Sequence, residues 1–136
     1  LRFRLAPPLQ AAAVQLGWQV LGSIRPQAWL DAPNALHLLR IVQEAVTNAV
    51  RHGHATRVLL RVEPLGQGVG VAIIDNGVGL GQPGPQGGHG LDNMRRRAQV
   101  LGATLSVQPH PDGGTAVTLS KPADWPESPR SAKMPG

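Results

Sequence analysis

Asp75-Asn76-Gly77-Val78-Gly79 follows directly on the apolar run Val69-Gly70-Val71-Ala72-Ile73-Ile74. Such a run reads as a buried strand whose end delivers one carboxylate into a glycine turn. An ionised carboxylate only accepts hydrogen bonds, so at this place it suits an exocyclic amine such as that of adenine. Gly77 and Gly79 let the backbone bend tightly and approach a flat ligand. The same five residues also describe an ordinary hairpin turn or a calcium loop, and alone they do not choose. Upstream, Arg40, Glu44, Asn48 and His52 recur every four residues, which on a helix stacks them along one face. Glu and Asn oxygens are hard ligands suited to Mg²⁺, which keeps waters and phosphate oxygens around it. That file also reads as a solvated edge with an Arg40–Glu44 pair. Downstream, Gly84-Pro85-Gln86-Gly87-Gly88-His89-Gly90-Leu91 is a glycine-rich loop opening a helix. Free backbone N–H groups and the positive helix end favour phosphate there, although a plain connection has the same composition. Thr115, after Gly113-Gly114, brings a hydroxyl to a strand entry, for a ligand, a bridging water or ordinary turn chemistry.

The elements that must position these residues are legible in the pattern. Leu9 to Leu16, after Pro7-Pro8, reads as a short helix, and Trp18 to Ser23 as a short strand. Pro33 or Asn34 opens the strongest helix, from about Ala35 to about His52, with Leu38, Leu39, Val42, Ala45, Val46, Ala49 and Val50 as its buried stripe. Gly53 ends it. Ala55 to Glu63 and Val69 to Asp75 read as strands joined by the turn Leu65-Gly66-Gln67-Gly68. Leu80 to His89 is a connection too rich in Gly, Pro and Gln to pack a core, and reads as mobile or ligand-ordered. A second helix runs from about Leu91 to Leu101 and stops at Gly102, and two further strands span Thr104 to Gln108 and Thr115 to Ser120. This order predicts an α+β sandwich: a mixed, mostly antiparallel sheet with helices on one face. Residues 1–121 form one domain and residues 122–136 a flexible tail.

Composition narrows the function. With 41% hydrophobic residues but only 3% aromatics, the core is aliphatic and there is no stacking surface for single-stranded nucleic acid. The net charge of +5 comes from scattered arginines, with only Arg95-Arg96-Arg97 clustered, and those three leave a helix in three directions, toward solvent or acids. The charge fits an anionic ligand or partner rather than a DNA footprint. The absence of cysteine excludes disulfides and thiolate metal sites. His37 and His54 read as surface residues, and the five histidines show no metal-ligand spacing. No apolar run has the length of a membrane span and no secretory signal is visible. A chain beginning at Leu1 reads as a piece of a longer protein.

Taken in order, Gln43-Glu44-Ala45-Val46-Thr47-Asn48-Ala49-Val50-Arg51-His52, Asp75-Asn76-Gly77-Val78-Gly79, Gly88-His89-Gly90-Leu91 with Met94-Arg95-Arg96-Arg97-Ala98, and Gly113-Gly114-Thr115 closely resemble the boxes of the ATP-binding catalytic domain of sensor histidine kinases. The likeness is narrower to the nitrate-sensor and DesK-like branch and covers roughly Leu36 to Lys121. It implies the Bergerat ATP-binding fold shared with gyrase, Hsp90 and MutL-type ATPases. By position, it implies that Asp75 binds the adenine amine, that Gly77 and Gly79 shape the pocket, and that Asn48 ligates Mg²⁺. It sets Glu44 to orient water or metal, and Arg51 and His52 near phosphate or ribose. Gly88, His89, Gly90 and Leu91 flank the phosphates at the lid hinge, and Thr115 supports the adenine. It further implies ATP and Mg²⁺ as cofactors, transfer of the γ-phosphoryl group to a histidine on a separate upstream dimerisation domain, and a response regulator as partner. There is no room for that domain before Leu36, so none of the histidines here is the acceptor and the chain alone should not autophosphorylate. The parent protein would be a homodimer, cytoplasmic or anchored in the inner membrane, and this piece a monomer. Two other readings stay open: a serine protein kinase of the same fold, like anti-sigma factors, and a degenerate interaction module.

Overall fold

The computed structural model describes residues 14–78, 88–111 and 113–123, with side chains from residue 90 in the second stretch. The elements run β1 (Gln15–Val20), α1 (Ala32–Thr47), a π-helical turn (Asn48–His52), β2 (Arg57–Leu65), β3 (Gly68–Asp75), α2 (Gly88–Leu101), β4 (Thr104–Pro109) and β5 (Thr115–Lys121). They form a five-stranded sheet in the order β1-β2-β3-β5-β4. β1 and β2 are parallel because α1 carries the chain back between them. The other neighbours are antiparallel, and β2 and β3 turn directly through Gly66 and Gln67. The expected α+β sheet, mixed and mostly antiparallel with helices on one face, is the observed one.

Side-chain alternation decides which face the helices cover. Register aligns Val62, Val71 and Leu119 in one row and Leu60, Ile73 and Val117 in the next. Leu105 and Val107 extend these rows onto β4. The opposite face carries Arg61, Ala72 and Thr118 in one row, small or polar residues that need no cover. The apolar face packs on Ile41, Ala45, Val46, Ala49 and Val50 of the first helical segment and on Met94, Ala98 and Leu101 of α2. At the far end of the core, buried Trp29 holds the Lys121 ammonium 5.5 Å above its ring, an arrangement worth about 0.5–2 kcal/mol. Pro122 and Ala123 continue past Lys121 close against Gly68. The rest of the expected tail, from residue 124, lies outside the described residues.

Several element boundaries differ from expectation for physical reasons. The strand expected at Trp18 begins at Gln15, so Gln15 and Leu16 are not the end of a helix; residues 9–13 lie outside the described residues. Pairing with β2 from Gln15 opposite Arg57 to Val20 opposite Val62 overrides the local helical pattern. The long helix is capped earlier than Pro33 or Asn34: the Asp31 carboxylate accepts from the Asn34 N–H at 3.0 Å, with Pro33 in the first turn. α2 ends as expected at Gly102, whose φ of +70° closes the last turn while the Ala103 N–H reaches the Ala98 carbonyl at 2.9 Å. Of the connection expected to be mobile, Leu80 to His89, residues 80–87 lie outside the described residues, while Gly88 and His89 already belong to α2, which starts before the expected Leu91.

Asn76 ties the exit of β3 to the entry of β2. Its Oδ1 accepts from the Thr56 and Arg57 N–H groups at 3.0 and 2.9 Å, and its Nδ2 donates to Thr56 Oγ1 at 3.0 Å. Asn76→Ala removes all three bonds at an exposed place where water can replace them in part. It is expected to cost about 1–2 kcal/mol, read as a lower urea midpoint at unchanged slope. An unchanged midpoint would show that this tie contributes nothing.

Candidate functional site

The base of the site is the end of β3. Asp75 lies on the same face as Val71 and Ile73 and is only 8% exposed. Its Oδ1 accepts from the Gly77 N–H at 2.8 Å, closing a turn two residues long. Oδ2 has no donor among the described residues, so one oxygen anchors the carboxylate and the other remains available. The strand pairing that joins Ile74 to Ala116 sets Thr115 on the neighbouring strand beside Asp75. Thr115 is 5% exposed, and its hydroxyl has no hydrogen-bond partner among the described residues. A buried carboxylate oxygen and a buried hydroxyl without partners are costly unless a ligand or water meets them. Two glycines permit this packing. A Cβ at Gly114, where φ is +91°, would run into the Asp75 carbonyl oxygen, and one at Gly77 would lie 2.5 Å from the Gly53 carbonyl oxygen.

The second half of the site stands on the end of the long helix. The Val78 N–H donates to the Gly53 carbonyl at 2.8 Å, and the Gly53 N–H to the Asn48 carbonyl at 3.0 Å. The turn after Asp75 is thereby fixed to the segment that carries Asn48. That segment, Asn48–His52, is a π-helical turn, a feature that recurs at functional sites. Widening the helix there breaks the expected four-residue file. Glu44 and Asn48 are half-buried, whereas Arg40, Arg51 and His52 are exposed. Glu44 does not pair with Arg40; it faces the start of α2. A Cβ on Gly90 would overlap the Glu44 Oε2 and stand 3.4 Å from the Asn48 Nδ2. Glu44, Asn48 and Gly90 therefore meet at one place, with no side-chain partner for either polar residue among the described residues. Leu91 is half-buried and packs against the core. Gly79 and the side chain of His89 lie outside what the structure describes, while the Gly88 backbone is part of α2.

Two residues have roles that differ from expectation. His37 is half-buried rather than a surface residue, and its Nδ1 lies 3.1 Å from Arg97 Nη1. Arg97 thus crosses from α2 to α1, while Arg95 and Arg96 are exposed. A cavity of about 750 Å³ opens between α1, β1 and α2, lined by Leu16, Leu38, Val42 and Leu60 with Glu44 and Arg97. Asp75, Gly77 and Thr115 do not line it, so this space is separate from the polar half-site at the strand ends.

A family model described as histidine kinase-, DNA gyrase B-, and HSP90-like ATPase matches residues 34–124. The nitrate/nitrite sensor protein NarQ of Escherichia coli K12 is 41% identical over 97 residues, which cover 70% of this chain and 17% of NarQ. The sensor protein VraS of Staphylococcus aureus COL is 36% identical over 93 residues, covering 68% of this chain and 27% of VraS. The chain therefore spans only 17% and 27% of the length of these two relatives. Among solved structures, the ATP-binding domain of PrrB from Mycobacterium tuberculosis superimposes with a TM-score of 0.61 at 29% identity, covering 85% of this chain and 90% of that one. The histidine kinase domain of Erythrobacter litoralis EL346 gives a TM-score of 0.61 at 25% identity, covering 82% and 52%. The match over residues 34–124 and the shared fold make this chain a member of the histidine kinase-, DNA gyrase B- and HSP90-like ATPase family.

Proposed function

We propose that the chain binds ATP with Mg²⁺ and presents the γ-phosphoryl group to a histidine on a separate dimerisation domain of its parent protein, which then passes it to a response regulator. The observation that carries this reading is the Asp75 carboxylate, buried, anchored by Gly77 through one oxygen and open at the other. Asp75 Oδ2 accepts from the adenine amine, and the Thr115 hydroxyl beside it serves a ring nitrogen directly or through water. The backbone at Gly77 lies flat along the base, and Gly79 follows it in the sequence. Base recognition thus rests on groups fixed by backbone hydrogen bonds, which lose little freedom on binding.

The phosphates extend toward Asn48, Glu44 and the start of α2. The Asn48 amide oxygen is the hard donor for Mg²⁺, which when bound with the nucleotide neutralises phosphate charge. No group of three His, Cys, Asp or Glu side chains able to hold a metal occurs among the described residues, so phosphate and water would supply the other ligands. The free N–H groups of the first turn of α2, around Gly88, His89, Gly90 and Leu91, favour phosphate oxygens. Glu44 orients water on that side, and exposed Arg51 and His52 stand at the mouth for phosphate or ribose. Transfer breaks the bond between the γ-phosphorus and the ADP oxygen and forms one to the acceptor imidazole nitrogen. The domain contributes position and charge compensation, the main requirements of such a reaction. The acceptor domain, a homodimeric parent in the cytoplasm or at the inner membrane, and the absence of a nucleic-acid role complete this reading.

Asp75→Asn tests the base assignment. Because Gly77 still claims the oxygen, the new amide group faces the adenine amine, donor against donor. Calorimetric titration with ATP and Mg²⁺ is expected to show about a tenfold to hundredfold loss of affinity with little change in thermal stability. An unchanged affinity would remove adenine from Asp75. Incubating the 136-residue chain with γ-labelled ATP is expected to leave it unlabelled; robust labelling would place an acceptor within it.

A further inference from the structure

We propose that His37 and Arg97 form a latch that sets the register of α2 against α1, and so positions the start of α2 over the phosphate end of the site; this rests on the nucleotide reading above. Beside their apolar packing, the two helices share two specific contacts. Gly90 packs on Glu44 and Asn48 with no room for a Cβ. Arg97 Nη1 approaches His37 Nδ1 at 3.1 Å. Arg97 is seven residues after Gly90, and His37 is seven residues before Glu44. Seven residues are two helical turns, about 10 Å along the axis. The helices therefore run antiparallel with matched spacing on both, and both contacts fall on one seam. A single contact lets a helix pivot or slide, whereas two contacts two turns apart fix both motions.

The chemistry of the second contact is specific. A guanidinium only donates, so His37 Nδ1 must present its lone pair and carry no proton. Arg95 and Arg96, two and one residues earlier on α2, leave the helix on other faces and are exposed. They cannot replace Arg97. At the other end of the seam, a small displacement of α2 moves the first-turn N–H groups at Gly90 relative to Asn48. Asp75, Gly77 and Thr115 stand on the sheet and its turn and do not move with α2. Loss of the latch should therefore weaken the grip on the terminal phosphate more than the grip on the base. His37 and Arg97 are positioning residues in this sense, since they act through α2.

The test is titration of the full chain with Mg²⁺ and either a non-hydrolysable ATP analogue or ADP. His37→Ala and Arg97→Ala are each expected to lower analogue affinity about five- to tenfold and ADP affinity less than twofold. The double variant should be no worse than either single one, because the two changes remove one interaction. His37→Asn, whose amide oxygen can replace the ring lone pair, should restore most of the analogue affinity. Equal losses for the analogue and ADP, single losses that add, or an Asn variant as weak as Ala would each overturn the latch. If the unaltered chain bound neither nucleotide, the nucleotide reading itself would fall; binding that is indifferent to all these variants would remove the latch alone.

Discussion

The hydrogen bond from the Gly77 N–H to Asp75 Oδ1 is the constraint on which the rest of the site depends. A carboxylate at a strand end would otherwise turn toward solvent, because burying a charge without partners is costly. Here the turn holds one oxygen, and the inward direction of β3 aims the other along the covered face of the sheet. Everything around Asp75 serves that geometry. Gly114 is bare because the Asp75 carbonyl lies against it, and Gly77 is bare because Gly53 does. Asn76 turns outward and pins β3 to β2. Neighbouring residues of one short motif thus divide the labour: Asp75 faces the ligand side, and Asn76 holds the strands.

The same turn also couples the sheet to the long helix. Val78 bonds to Gly53, and Gly53 bonds back five residues to Asn48. A regular α-helix would have bonded Gly53 to Ala49. The extra residue in the turn keeps Asn48 beside Glu44 while turning His52 out to solvent. Asn is a middling helix former, and its place at the junction of the α-helical and π-helical segments costs less than it would in a regular helix interior. The polar residue that the reaction would need and the local irregularity of the backbone fall at the same position.

Much of this was legible in the sequence because periodicity reports burial. The stripe through Ala45, Val46, Ala49 and Val50, the alternation in Val69, Val71 and Ile73, and the glycine stops at Gly53 and Gly102 each reflect a local constraint, although that stripe left out fully buried Ile41 and took in exposed Leu39. Gly77 and Gly90 were expected to let the backbone approach a ligand; in the structure each also sits where a Cβ has no room, against Gly53 and Glu44. What escaped was long-range. Gln15 and Leu16 joined a strand because residues more than 40 positions later offered a parallel edge. Asp31 as helix cap was legible, since Asp followed two residues on by Pro is a start signal, but Pro33 and Asn34 drew the boundary later. The π-helical turn had no local signature at all: four-residue spacing of Arg40, Glu44, Asn48 and His52 fits an unbroken helix equally well. Arg97 and His37 are 60 residues apart, and nothing in a run of three arginines says which one faces another helix.

The two ends of the site are built from different materials, and that difference has a mechanical meaning. The Asp75 end rests on sheet pairing and on backbone hydrogen bonds through Gly77, Val78 and Gly53, where each bond is shielded or short-range. The Asn48 end rests on the packing of one helix against another, with a half-buried side-chain bond as its second point of attachment. Side-chain bonds of that kind are each worth about 1 kcal/mol net, less than the burial of Met94, Ala98 and Leu101 that holds α2 on the sheet, so the bond tunes the position of α2 rather than its attachment. A sheet-anchored Asp75 end beside a helix-packed Asn48 end fits the proposed reading, in which the first takes the base and the second the terminal phosphate. On that reading, further apolar contacts on α2 would raise stability and narrow the range of positions open to the phosphate end.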